Sequence, residues 1–156
     1  PMLVVVNLAE GGSVPDLGQV GPGVSALGLQ GRLEMEIAQL PETERRGYLD
    51  EYGITAAGRE RVLQASYDLL GLHSFFTVGE DEVRAWTLPR GATALDAAGT
   101  IHSDLARGFI RAEVIPVEEL LALGGLAPAR TRGKLRQEGK EYVVADGDVV
   151  HIKFNV

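Results

Sequence analysis

FFTVGEDEVRAWTL, residues 75–88, decides how this chain is to be read. Phe75 to Val78 and Val83 to Leu88 are short runs rich in β-branched and aromatic residues, and the glycine and three acids between them read as a turn, so the stretch predicts a hairpin. Downstream, Ala94 to Leu105 sets Ala98, Ile101 and Leu105 on one face and predicts a helix. Ile110 to Val117 predicts a strand with Ile115 and Val117 facing alike, and Glu118 to Leu123 a short helix closed by Gly124 and Gly125. Tyr142 to Val144 and Val149 to Phe154 flank ADGD, in which Asp146-Gly147 is a strong hairpin-turn signal.

Strand, strand, helix, strand, short helix, strand, strand is the order of a ubiquitin-like β-grasp. Residues 73–156 are therefore expected to form one compact α+β module, suited to docking rather than chemistry.

Upstream the pattern differs. Leu3 to Val6 is an all-apolar, mostly β-branched run, the signature of a strand covered on both faces in a parallel sheet. Gly11 to Gly23, rich in Gly, Pro and Ser, reads as loop, and a second apolar step at Val24 leads toward a helix. Helices are predicted at Arg32 to Leu40, Glu42 to Tyr52 and Ala56 to Leu70. The third has Thr55 as N-cap, Val62, Leu63, Ser66, Tyr67 and Leu70 at helical spacing, and Gly71 at its end. One or two such strands do not make a parallel sheet alone, so residues 1–72 are expected to be the tail of a larger α/β domain; a chain complete from Pro1 after loss of Met is the alternative.

Composition narrows the chemistry. At 156 residues, 45% hydrophobic and 24% charged, the chain is globular, with no apolar run long enough to span a membrane. No export signal is visible, so a cytoplasmic location is expected. The absence of cysteine excludes disulfides, thiolate catalysis and cysteine-ligated zinc. The net charge of −7 divides into −5 for residues 1–72 and −2 for residues 73–156. Within the latter, Arg130, Arg132, Lys134, Arg136 and Lys140 against Glu138 alone give a local +4. Together with Arg84, Arg90, Arg107 and Arg111, these residues read either as contacts to RNA phosphates or as a solvated loop paired with Glu113 and Asp104.

A phosphate cradle needs GxxxxGK[ST]; here Gly133-Lys134 is followed by Leu135 and Gly139-Lys140 by Glu141, so neither qualifies. An aspartate-proline-glycine metal motif is also absent, and this stretch alone is expected neither to hydrolyse a nucleotide nor to bind a metal. Asn7-Leu8-Ala9-Glu10 sits at the carboxyl end of the buried strand, where open α/β sheets bind ligands. Asn7 there can bond a purine edge and Glu10 an exocyclic amine; the alternative is a helix-capping Asn beside a solvated Glu. Val24-Ser25-Ala26 is a candidate for the companion loop that touches the base. His73, His102 and His151 fit no ligand spacing and are expected to be structural or exposed, and no catalytic constellation stands out.

YDLLGLHSFFTVGEDEVRAWTLPRG, AAGTIHSDLARGFIRAEVI and EGKEYVVADGDVVHIKFNV together resemble the C-terminal region of the YchF (Obg-like) ATPases, and cover nearly all of residues 67–156. The resemblance implies a β-grasp module of the TGS type at residues 73–156, preceded by the end of a P-loop nucleotide-binding domain. It implies that Asn7 and Glu10 face an adenine, that Leu8 packs near the base, and that Ser25 and Ala26 form the second base loop. Relatives run Ser-Ala-Lys directly into a helix, whereas here LGLQGR intervenes before LEMEIAQL. The resemblance further implies ATP in preference to GTP, Mg²⁺ held by residues upstream of Pro1, and the ribosome or its RNA as partner, met by Arg130, Arg132, Lys134, Arg136 and Lys140. DNA and membranes are not expected partners. The alternative is a stand-alone RNA- or ribosome-binding β-grasp module without enzymatic activity.

Overall fold

The computed structural model describes residues 1–9, 11–14, 23–54, 56–79 and 81–155, which fall into two compact units, Pro1–Leu70 and Gly71–Val156. The chain is mixed α+β, as its patterning predicts.

In the first unit, β1 (Met2–Asn7) and β2 (Val24–Leu29) pair in parallel, from Met2 opposite Val24 to Asn7 opposite Leu29. The apolar step at Val24 is thus itself a strand. Ser25, Ala26 and Gly28 have little strand preference of their own, and the ladder to the β-branched β1 supplies it. Three helices follow: α1 (Gly31–Ala38), α2 (Glu42–Glu51) and α3 (Gly58–Leu70). The expected cap at Thr55 and most of the expected loop, 15–22, lie outside the described residues. The unit's buried apolar side chains among the described residues are Ile37 and Ile54; β1, expected to be covered on both faces, instead leaves Met2 and Val5 about half exposed, since its one described partner strand is β2.

The second unit is built on a five-stranded sheet of order β4-β3-β7-β5-β6. Strands β3 (Leu72–Val78) and β4 (Val83–Pro89) form the predicted hairpin, with Val78 opposite Val83 and the Gly79 N–H donating to the Glu82 carbonyl at 2.8 Å. Central β7 (Asp148–Phe154) runs parallel to β3 and antiparallel to β5 (Phe109–Pro116), and β5 carries the short edge strand β6 (Arg136–Glu138). Strand alternation sends residues to two faces. On one, Phe75, Leu88, Ala112, Val114, Val150 and Ile152 meet Ala94, Ala97 and Ala98 of α4 (Ala94–Ile101), whose small side chains admit the helix close to the sheet. On the other, Ile115, Val149 and Phe76 meet Leu120 of α6 (Val117–Leu123) and Leu126 and Ala129 of α7 (Leu126–Thr131).

Helix α4 starts on a reciprocal cap: Thr93 Oγ1 accepts the Asp96 N–H at 3.3 Å, and Asp96 Oδ2 accepts the Thr93 N–H at 2.8 Å. The bonds from the Thr93 backbone and then its hydroxyl hold the Asp96 carboxyl below its ordinary range. The helix predicted through Leu105 breaks at His102, whose backbone is extended and whose Nδ1 accepts the Asp104 N–H to cap α5 (Ser103–Arg107). Val117 opens α6 instead of continuing the face of Ile115, and Gly124, at φ +83°, supplies the left-handed end that α6 needs.

The expected last hairpin requires correction. Tyr142 to Val144 forms no strand with β7. It runs past the start of α4, where Tyr142 O accepts the Ala94 N–H at 2.8 Å, the Val144 N–H reaches Ala92 O at 3.1 Å, and one bridge joins Thr93 to Val143. Asp146 and Gly147 do turn, but toward β3: Asp146 Oδ1 accepts the Ser74 N–H at 3.1 Å, and the Gly147 N–H donates to Ser74 O at 2.9 Å. Buried Asp148 secures this connection, Oδ2 accepting from the Tyr142 hydroxyl at 2.7 Å and from the Ala145 N–H at 2.9 Å.

Candidate functional site

Because β1 and β2 are parallel and in register, their carboxyl ends are level, and the Leu8 N–H extends the ladder to Leu29 O at 2.7 Å. Helix α1 begins at this edge without a side-chain cap of its own from Gln30. Asn7 replaces that cap across the strands: its Oδ1 accepts the Gly31 N–H at 3.1 Å. A backbone N–H can bond only the oxygen end of a carboxamide, so the amide NH₂ is the end left over. Gly31 permits the approach, since a Cβ there would stand 2.9 Å from Asn7 Oδ1. An open cleft of about 400 Å³ lies at the same edge, lined by Leu8, Ala9, Gln30, Arg32, Leu33 and Glu36.

Asn7 and Leu8 are therefore brought together; Glu10 lies outside the described residues. Ser25 and Ala26 are not brought to them. They pair with Leu3 and Val4 inside the ladder, and Ser25 is four residues short of Leu29, roughly 13 Å along a strand. The positions that reach Asn7 are Gln30 and Gly31, at the end of the LGLQGR stretch that separates Ser25-Ala26 from the helix. That intervening stretch was the available signal.

In the second unit the basic segment is largely tied to neighbouring acids. Arg130 bonds Glu113 at 3.3 Å and Lys134 pairs with Glu119 at 3.5 Å. Arg136 donates to the Tyr142 hydroxyl at 2.9 Å, lies 5.3 Å from that ring's centre, and sits 3.7 Å from both Glu138 and Asp148. Burial acts against the Arg136 charge, but Tyr142, Asp148 and Glu138 outweigh it and raise its pKa. Burial likewise acts to raise the Glu113 carboxyl, yet bonds from Gln137 and Arg130 and the Lys153 charge bring it below the usual range. Arg132 and Lys140 are exposed and carry no ion pair among the described residues. Elsewhere Arg107 pairs with Asp104 at 3.0 Å, and Arg84 stacks 4.1 Å above Trp86.

The three histidines do not converge. His73 is buried in β3, His102 caps α5, and His151 is exposed on β7, where partial desolvation and then Lys153 depress its pKa. Among the described residues no group of three or more His, Asp or Glu side chains is placed to hold a metal, and no helix is long and apolar enough to cross a membrane.

Fold and site define a mixed α+β protein whose first unit carries the Asn7 amide at the carboxyl edge of two parallel strands. A family model designated YchF-GTPase_C, "Protein of unknown function (DUF933)", matches residues 72–155, just over half of the chain. The chain is 46% identical to the "Ribosome-binding ATPase YchF" of Bacillus subtilis (strain 168) over 166 residues, covering 100% of this chain and 45% of that protein. It is 42% identical to the protein of the same name from Escherichia coli O157:H7, again over 100% of this chain and 45% of the relative. The solved YchF GTPase of Schizosaccharomyces pombe superimposes with a TM-score of 0.76 at 29% identity, over 98% of this chain and 43% of that one. The chain belongs to the YchF family. It spans a little under half the length of these relatives.

Proposed function

We propose that this chain is the base-reading and docking part of a ribosome-associated ATPase of the YchF type. The observation that carries the reading is the bond from the Gly31 N–H to Asn7 Oδ1, which occupies the oxygen end of this exposed amide and leaves its NH₂ over, next in sequence to Leu8 and Ala9 of the cleft. An NH₂ donor suits the N7 acceptor of a purine, and Leu8 offers an apolar surface for the ring. These residues fit the base of ATP. The described residues supply neither a phosphate cradle nor a set of Mg²⁺ ligands. Bound ATP would supply the phosphoryl group; this chain would orient the base and, with Glu10, select it. The names of the bacterial relatives support ATP and the ribosome as ligand and partner.

In the full-length protein, Asn7→Ala is expected to weaken ATP binding about tenfold, the effect of one lost hydrogen bond that leaves its purine acceptor unpaired. Titration with fluorescent ATP and GTP measures this, and unchanged affinity for both would sink the base-site assignment.

For the second unit we infer a β-grasp of the TGS type. In the unit's own strand numbering its sheet order is 2-1-5-3-4, with the first and last strands parallel at the centre and α4 across one face, and this arrangement supports the reading. Its docking surface would centre on Arg132 and Lys140, whose charges are not taken up by neighbouring acids. This same feature favours a second reading, an RNA- or ribosome-binding module that works without catalysis. Charge reversal at both positions is expected to weaken RNA binding by Gly71–Val156 and to flatten its salt dependence by about two units of log–log slope. A slope and affinity equal to those of the unaltered unit would exclude this surface. Binding that ignores added ATP in the full-length protein would favour the module without catalysis.

A further inference from the structure

A side chain from α3 is bonded to both flanks of the β2–α1 connection. Arg61 Nη1 donates to the Gly28 carbonyl at 3.0 Å, and Nη2 pairs with Glu34 Oε1 at 2.6 Å. The pair is well covered, with 27% of the Arg61 side chain and 11% of Glu34 exposed. Gly28 is the penultimate residue of β2, and Glu34 lies beyond the connecting Gln30, in the first turn of α1.

Both anchors lead to the base site. Gly28 is opposite Val6, and a Cβ on it would meet Leu8 Cδ1 at 2.5 Å, so Leu8 rests on the bare backbone that Arg61 holds. Glu34 donates its own N–H to Gln30 O at 2.9 Å, within the same turn whose Gly31 N–H is bonded to Asn7. Arg61 therefore fixes the surface beneath Leu8 and the start of the helix that orients the Asn7 amide. Neither contact is incidental to a surface ion pair. A bond to a backbone carbonyl and a covered carboxylate together set position: Glu34 Oε2 is buried with no hydrogen-bond partner of its own, so among the described residues the carboxylate is held through Oε1 by Arg61.

We infer that Arg61 is a positioning residue for the base site: it acts through Gly28 and Glu34 to hold Leu8 and Asn7 in the geometry that receives a purine. The inference rests on the base-site reading of Asn7 and Leu8. It deepens that reading by naming a residue, outside the lining of that cleft, on which base affinity depends.

The test is a double-mutant cycle in the full-length protein, reading dissociation constants for fluorescent ATP and GTP analogues. Arg61→Met and Asn7→Ala are each expected to weaken ATP about tenfold. The double variant should be weakened about ten- to twentyfold, well short of the hundredfold of independent sites, because Asn7 without Arg61 is already misplaced. Affinity for the GTP analogue should fall in parallel, since N7 and the ring face are common to both purines, and Arg61→Lys should restore part of the lost ATP affinity by keeping a charge beside Glu34. A loss coupled to Asn7, together with rescue by lysine, does not follow from destabilisation alone. Multiplicative effects, or an Arg61→Met protein with unaltered affinity, would overturn the positioning role. If Asn7→Ala has no effect on the unaltered background, the base-site reading fails first, and with it this inference. Should Arg61→Met not fold, the pair Arg61→Met with Glu34→Gln removes the buried lone charge, and the same cycle applies to it.

Discussion

Phe75→Ala is expected to lower the unfolding free energy of the Gly71–Val156 unit by about 3–5 kcal/mol, the usual range for a phenylalanine deleted from a core. The ring has no exposure. It sits on β3, with β4 on one side and β7 on the other, facing the alanines of α4. Three packed elements lose contact with it together, and the alanines opposite are too small to fill the space. Trp86, the sole tryptophan, is directly across the hairpin from Phe75 and provides the fluorescence probe for a urea titration. A transition midpoint equal to that of the unaltered protein would contradict the packing described for this face.

Asp148→Ala is expected to remove about 2–4 kcal/mol from the same unit, by a different route. Asp148 is 2% exposed, and one oxygen serves both the Tyr142 hydroxyl and the Ala145 N–H. Alanine leaves both donors unpaired and removes the carboxylate near Arg136, and it frees the segment between β6 and β7 that turns toward Ser74. Asp148→Asn keeps an acceptor while deleting the charge, so its loss should be smaller. A second readout is independent of unfolding. Burial first, and then the bond to Asp148, hold the Tyr142 phenol above its ordinary range. In Asp148→Ala the burial contribution remains but the second is gone, so the phenol should titrate at lower pH, as followed by phenolate absorbance. An unmoved titration together with an unmoved midpoint would show that Asp148 does not secure this segment.

The parts of the fold legible in sequence are those in which local pattern and tertiary role agree. Phe75 to Leu88 alternates around a turn and is a hairpin; Ala98 and Ile101 mark a face that packs. The illegible parts are set by partners distant in the chain. Arg136–Glu138 is wholly polar and becomes a strand only because β5 offers it an edge. Tyr142 to Val144 is apolar enough to be a strand, yet its backbone is used to anchor the start of α4. His102 interrupts a helix with neither glycine nor proline at the break itself. At the candidate base site, the place of Asn7 at a strand's carboxyl end was readable because Leu3 to Val6 is a recognisable strand pattern. Gln30 and Gly31 were not, since the strand preceding them has a weak pattern, and Arg61 reaches Glu34 and Gly28 across 27 and 33 residues of chain.

The central position of β7 bears on how this protein is made. The last strand of the unit lies between β3 and β5, so the two outer parts of the sheet, β4-β3 and β5-β6, have no ladder to each other without it. During synthesis the hairpin, α4 and β5 emerge first, but the sheet cannot close until β7 has left the ribosome. The unit should complete folding late and in one cooperative step, as expected where the decisive contacts join residues far apart in sequence. Until then, Phe75 and Val114 await Val150 with their apolar surfaces open, and this is the stage at which the nascent chain would be most exposed to aggregation or to a chaperone.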